Sequence, residues 1–257
     1  MNTKKALNII ILLLIIINIC MLAFILFFNS QKNEKENEVN YVNDILKYRG
    51  IEVKIPIETT SGNKEGVIFK KGIFDNDFIS KGEKATGGKF VVSKDNTLLQ
   101  YTNLNENNPI EFITNRFDAD KKVRMFLDQI GFNNNKYIVD SVIMSSRNTY
   151  HLKYYCVLND EMLYDLYIYA VIDEYGISTL SIRYMENAKD NTISFKVLPM
   201  SNIIMSKGIL KEANSGVIER VDSGYKSDNN NLQYVWRVTF ENGVVKYYNA
   251  SNGKEIK

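Results

Sequence analysis

Hydrophobic and polar positions follow three rhythms along this chain. From Ala6 to Phe28 no charge interrupts an apolar run, and at about 1.5 Å rise per residue such a helix reaches across a hydrocarbon layer of roughly 30 Å. A single transmembrane helix is expected there. Helical spacing then returns at Val39, Val42, Ile45 and Leu46, with Gly50 marking the helix end before an alternating strand. It recurs at Val123, Phe126, Leu127 and Ile130, with Asp118 as the expected cap and Gly131 as the stop. A third helix is expected near Pro199, using Ile203 and Ile204 and weakened at its end by Gly208.

Period-two alternation governs most of the rest. Strands are expected at Val67 to Lys70, Lys89 to Ser93, Leu98 to Tyr101, Tyr137 to Met144, Tyr150 to Val157, Tyr164 to Ile172 and Ile177 to Tyr184, then at Val217 to Tyr225, Leu232 to Phe240 and Val244 to Tyr248. Turns are expected around Asn159-Asp160 and Glu174 to Gly176. The clearest hairpin is the last. Tyr234, Trp236, Val238 and Phe240 alternate with Val235, Arg237, Thr239 and Glu241, and Asn242-Gly243 has the composition of a two-residue type I′ turn. Counting outward from it sets Val238 opposite Tyr247 and Phe240 opposite Val245 on a core face. Arg237 opposite Tyr248 and Thr239 opposite Lys246 fall on a wetter one. Trp236, Asn242, Gly243 and Tyr247 read as scaffold.

A helix followed by an antiparallel meander occurs from Asp118 and again from Pro199, which predicts an α+β fold with two small modules side by side. The expected division is a cytoplasmic tail over 1–5, the span over 6–28, a charged linker over 29–38, an α+β segment over 39–115, the first module over 116–190 and the second over 191–257.

Charge and composition narrow the classes. A formal charge of +2 across 257 residues gives no general basis for nucleic-acid binding. Lys4 and Lys5 precede the apolar run, whereas Lys32 and Lys35 after it are mixed with Glu34, Glu36 and Glu38. The positive-inside rule therefore predicts a cytoplasmic N-terminus, a cell-membrane location and an extracytoplasmic C-terminal domain. A cleaved leader is disfavoured by the length of the run and by the absence of a small-x-small site before the polar stretch. Ile19 stands where a lipoprotein needs a small residue before Cys20. Cys20 in the span and Cys156 in a strand cannot pair within one chain, and Cys156 reads as a small buried hydrophobe.

Little of the sequence carries chemistry. The string GEKATGGKF spaces Gly82 and Gly87 like a phosphate loop, but Gly88 stands where Lys is needed and no Ser or Thr follows it. His151 is the sole histidine, which removes multi-histidine metal sites, and no Gly-x-Ser-x-Gly elbow accompanies it. Asp160, Glu161, Asp173 and Glu174 sit near strand ends, where hydrolytic acid pairs and solvated turns look alike. Tyr154, Tyr155, Tyr164, Tyr167 and Tyr169 supply either strand packing or an aromatic face for peptide or glycan. No catalytic, cofactor or metal residues are assigned. Asn18 lies near the centre of the span with Leu14 and Leu22 on its face; its amide serves helix association or is simply tolerated.

Taken together, the short tail, the retained span, LKYRGIEVKIPI and the terminal segment resemble the YycI (WalI) regulatory proteins of Gram-positive bacteria. Gly224-Tyr225, Val235-Trp236-Arg237, Asn242-Gly243, Tyr248-Asn249-Ala250 and Gly253 carry the likeness, which is also similar to PepSY-type modules. The resemblance implies a non-enzymatic accessory protein that acts with a YycH-like partner on a WalK (YycG) sensor histidine kinase in cell-wall homeostasis. Leu14, Asn18 and Leu22 would be the kinase contact. An anchored PepSY-type binding module for peptide, glycan or a protease is the alternative, and an anchored hydrolase dependent on His151 or an acid pair is a third class.

Overall fold

One helix, α1 (Thr3–Tyr48), carries the apolar run and continues into the folded domain. In the computed structural model residues 3–57, 61–69, 74–104, 113–146, 148–185, 187–205, 217–228 and 231–256 are described. Residues 29–38, expected as a linker, are helical, in keeping with the high helix propensity of Glu, Lys and Gln. Among the described residues no helix is long and apolar enough to cross a membrane. The side chains of residues 6–12, where the expected span begins, lie outside the described set. The large apolar side chains from Leu13 to Phe28 are exposed.

The far end of α1 is fastened to the domain. Ile51 N donates to Leu46 O (2.9 Å) and Gly50 N to Lys47 O (3.0 Å), with Gly50 left-handed at φ +73°. This is a Schellman stop whose accompanying apolar contact pairs the helix's last turn with the residue after the glycine. Leu46 and Ile51 are both buried, as is Val42 one turn earlier.

Helix α2 (Asn76–Thr86) is absent from the expected elements. Asp75 caps it by accepting from Phe78 N, and Gly87 ends it, so GEKATGGKF is a helix end running into a strand. Helix α3 (Arg116–Gln129) starts one turn earlier than expected. Asn115, not Asp118, is the cap, accepting from the amides of Phe117 and Asp118; Asp118 instead accepts from Thr114 N (3.1 Å). Helix α4 (Met200–Ile204) follows Pro199, and Gly208 lies outside the described residues.

Strands β1 (Glu52–Val53), β3 (Lys89–Val92), β4 (Leu98–Thr102), β5 (Tyr137–Ser146), β6 (Thr149–Leu158), β7 (Glu161–Asp173), β8 (Gly176–Arg183), β10 (Val217–Asp228), β11 (Asn231–Phe240), β12 (Val245–Asn249) and β13 (Glu255–Ile256) join in one mixed sheet, while β2 (Gly62–Phe69) pairs with β9 (Asn187–Val197). The large sheet consists of two meanders, β5-β6-β7-β8 extended by β4 and β3, and β10-β11-β12-β13, with β1 paired in parallel to β10. They meet where β10 pairs in parallel with the start of β7. Beneath them α1, α3 and α4 share one apolar core through Leu46, Leu127 and Ile204 with Leu152, Ile168 and Val238 of the sheet. Each such fully buried side chain contributes roughly 1.5–3 kcal/mol.

The last hairpin departs from its expected register by one residue. Thr239 faces Val245, Val238 faces Lys246, Arg237 faces Tyr247 and Trp236 faces Tyr248. Only Gly243 takes a positive φ. Asn242 stays out of the left-handed region and its Oδ1 accepts from Val244 N (3.0 Å). With Phe240 N donating to Val244 O, the loop holds three residues, a turn closed by one left-handed glycine. The two-residue type I′ turn is at Asn159-Asp160, both with positive φ, between the paired Leu158 and Glu161.

Candidate functional site

Arg237 is the residue that the alternation misplaces most. Expected on a wet face, it is 2% exposed, because the outer face of the sheet has a core of its own at this point: Tyr155, Tyr164, Val235 and Ile256, packed with Met162, Tyr167 and Tyr247. The guanidinium lies 5.3 Å from the Tyr155 ring centre and 5.0 Å from that of Tyr164. Its Nη2 donates to Asp140 (2.6 Å) and to Asp222 (2.8 Å). Burial alone would lower its pKa, but the Asp140 and Asp222 hydrogen bonds, with Tyr164, leave it raised. Asp140 reaches inward because it is the extra residue in a bulge of β5, between Val139 and Ser141. Arg220, more exposed, contacts both acids as well.

A second polar cluster sits at the same junction. Glu161 accepts from Tyr234 (2.8 Å) and Ser223 (3.3 Å) and pairs with Lys64 of β2. Tyr164 donates to Ser223 O (3.1 Å), and Tyr225 donates to Glu65 O. Burial, chiefly, pushes the Tyr225 hydroxyl up to about 12. Gly224 is fitted to this crossing, since a Cβ there would lie 2.4 Å from Met162 O.

The other expected site residues are dispersed. Asn18 donates to Leu14 O (2.8 Å) within its own helix, with Leu14 and Leu22 exposed beside it. Trp236 is buried and donates to Leu198 O (3.2 Å). Tyr247 contacts Tyr164 and lies beneath Lys226. Asp160 and Glu161 lie at one end of β7 and Asp173 and Glu174 at the other, roughly 40 Å apart for a strand of that length, so they form no acid pair across it. Tyr154, Tyr155 and Tyr164 are buried, and only Tyr169 of the expected aromatic face is exposed. His151 bridges Tyr169 Oη (2.7 Å) and Ser145 Oγ (2.8 Å). Cys20 and Cys156 are free thiols, and burial lifts the Cys156 thiol to about 11. Among the described residues no cluster of His, Cys, Asp and Glu has a metal-holding arrangement.

No family model matches the sequence, and no curated protein matches it. Solved structures do. YycH from Bacillus subtilis matches with a TM-score of 0.54 at 12% identity, over 79% of this chain and 59% of that one. An uncharacterized protein from Eubacterium rectale gives 0.47 at 13%, over 80% and 89%. The Bacillus megaterium YpeB C-terminal domain gives 0.37 at 11%, over 73% and 97%. The chain thus shares a fold with YycH.

Proposed function

We propose that this protein is a single-pass, non-enzymatic regulator of a WalK/YycG-type sensor histidine kinase in cell-wall homeostasis. Its N-terminus is cytoplasmic, its outer domain is extracytoplasmic, and a YycH-like protein is its partner there. The observation that carries the reading is the continuity of α1. One unbroken helix joins an exposed apolar face, with Leu14, Asn18 and Leu22, to Val42 and Leu46 inside the domain core. Glu38 also accepts from the buried Ser201 of α4 (3.2 Å). A contact between membrane helices is thereby mechanically tied to the outer fold, and that fold is YycH-like. Regulation needs a difference in affinity for the kinase's two signalling states, which a helix rigidly coupled to a domain supplies without catalytic groups.

The test is a pull-down from membranes with the tagged chain, native against a version with residues 6–28 replaced by a poly-Leu/Ala span. Co-purification of a histidine kinase with the native span alone supports the proposal. Capture by both versions, or by neither, refutes the helix contact. Capture by both would instead assign binding to the outer domain, as expected of an anchored PepSY-type module.

A further inference from the structure

The two meanders meet along a seam with little backbone bonding. Parallel pairing is confined to Gly224 with Met162 and Tyr225 with Leu163. The apolar core runs continuously beneath both meanders, but on the outer face closure depends on side chains. Asp140 of one meander grips Arg237 of the other, and Asp222 holds Arg237 from its own side. Tyr155 and Tyr164 pack edge to face at 5.2 Å under the guanidinium.

Two features make this junction openable. Asp140 sits in a bulge, where the ladder bonding of β5 is already interrupted. Each acid also has a second cation in contact: Arg220 lies 3.1 Å from Asp140 and 2.8 Å from Asp222, and its side chain is 39% exposed against 3% for Arg237. If Arg237 withdraws toward water, neither carboxylate is left without a counter-charge. Breaking a buried pair is costly when it strands a charge, and here a wetter partner is already in place.

We infer that the Asp140–Arg237–Asp222 bridge is a latch on the outer face: closed, it covers Tyr155, Tyr164 and Tyr247; open, it uncovers them while the core beneath stays packed. The latch does not depend on which partner the protein binds, so its failure would leave the kinase reading standing.

Nitration of the full chain in detergent by tetranitromethane, mapped residue by residue, tests it. Asp140→Asn is expected to speed nitration of Tyr155 and Tyr164 at least tenfold, with Tyr154 and Tyr101, both in the main core, unchanged. No change in Asp140→Asn, or a parallel rise at Tyr154 and Tyr101, overturns the latch. Should Asp140→Asn fail to fold, amide exchange of the native chain decides: amides at 162–164 and 223–225 should exchange through an opening that leaves 166–168 and 236–238 protected. Exchange of both sets only together overturns it.

Discussion

Removing Asp140 and removing Arg237 are unequal changes at the residue scale. Asp140→Ala withdraws one of the two carboxylates that neutralise a guanidinium 3% exposed, and breaking a buried pair from one side costs about 3–5 kcal/mol. Arg237→Met fills much of the same space and leaves both acids facing Arg220. It should cost less than half as much, and denaturant titration of the two variants makes the comparison. Alkali should act through other buried groups. Burial holds the Cys156 thiol near about 11 rather than 9.0, and Tyr225 near about 12 rather than 10.0; Tyr137, Tyr154 and Tyr164 are raised by burial too. A raised value in the fold means stability that is complete below the unfolded pKa and lost as pH climbs through the folded one. The unfolding midpoint should therefore be flat from about pH 7 to 9 and fall between about pH 9 and 12; a flat profile to pH 12 would contradict burial of these groups. Trp236 is legible as core because its strand alternates cleanly. Arg237 is not, because alternation says which side chains share a face and cannot say that tyrosines from β6 and β7 cover it.

Among the elements, the strands are legible wherever alternation is strong, as in β6, β7, β8 and β11. Helix α2 is hidden by Gly82 and the Gly87-Gly88 pair, which read as a loop; the overlooked signal is Asp75 as cap, with Phe78 and Ile79 turned inward. Strand β9 is hidden because its partner β2 lies more than 100 residues away in sequence, beyond any local pattern. The Asn242-Gly243 register slips because a glycine alone, without a left-handed asparagine, selects the three-residue loop. For the proposed function the decisive element is α1, which would act as a lever only if it is stiff. Proline inside a helix costs about 3 kcal/mol and removes a hydrogen bond. On the proposed kinase reading, Asn37→Pro is expected to leave the melting of the β-rich domain unchanged while abolishing the proposed effect on kinase autophosphorylation in reconstituted vesicles. Regulation that survives the proline would make α1 a tether.

On the scale of the whole molecule, the strand pairings work against independent modules. β2 pairs with β9, β4 with β8, and β1 with β10, joining residues 62–69 to 187–197, 98–102 to 179–183 and 52–53 to 217–218. The order of helix and meander, twice over, can be read from the chain, but these closures cannot, since remote register leaves no trace in local periodicity. A chain ending at residue 190 keeps α3 and β3 to β8 but loses most of β9, the partner of β2. It also loses Ile203, Ile204, Trp236 and Val238 from the shared core. Several such side chains at roughly 1.5–3 kcal/mol each amount to as much as the net stability of an ordinary domain, about 5–15 kcal/mol. The shortened chain is therefore expected to keep β-rich far-ultraviolet dichroism, lose its near-ultraviolet signal and bind 1-anilinonaphthalene-8-sulfonate. The full chain should melt in one transition reported equally by tyrosine and tryptophan signals. A sharp melt and a retained near-ultraviolet spectrum in the shortened chain would show that the chain up to residue 190 folds without the rest; the β2–β9 and β1–β10 closures would then decorate the fold without holding it together.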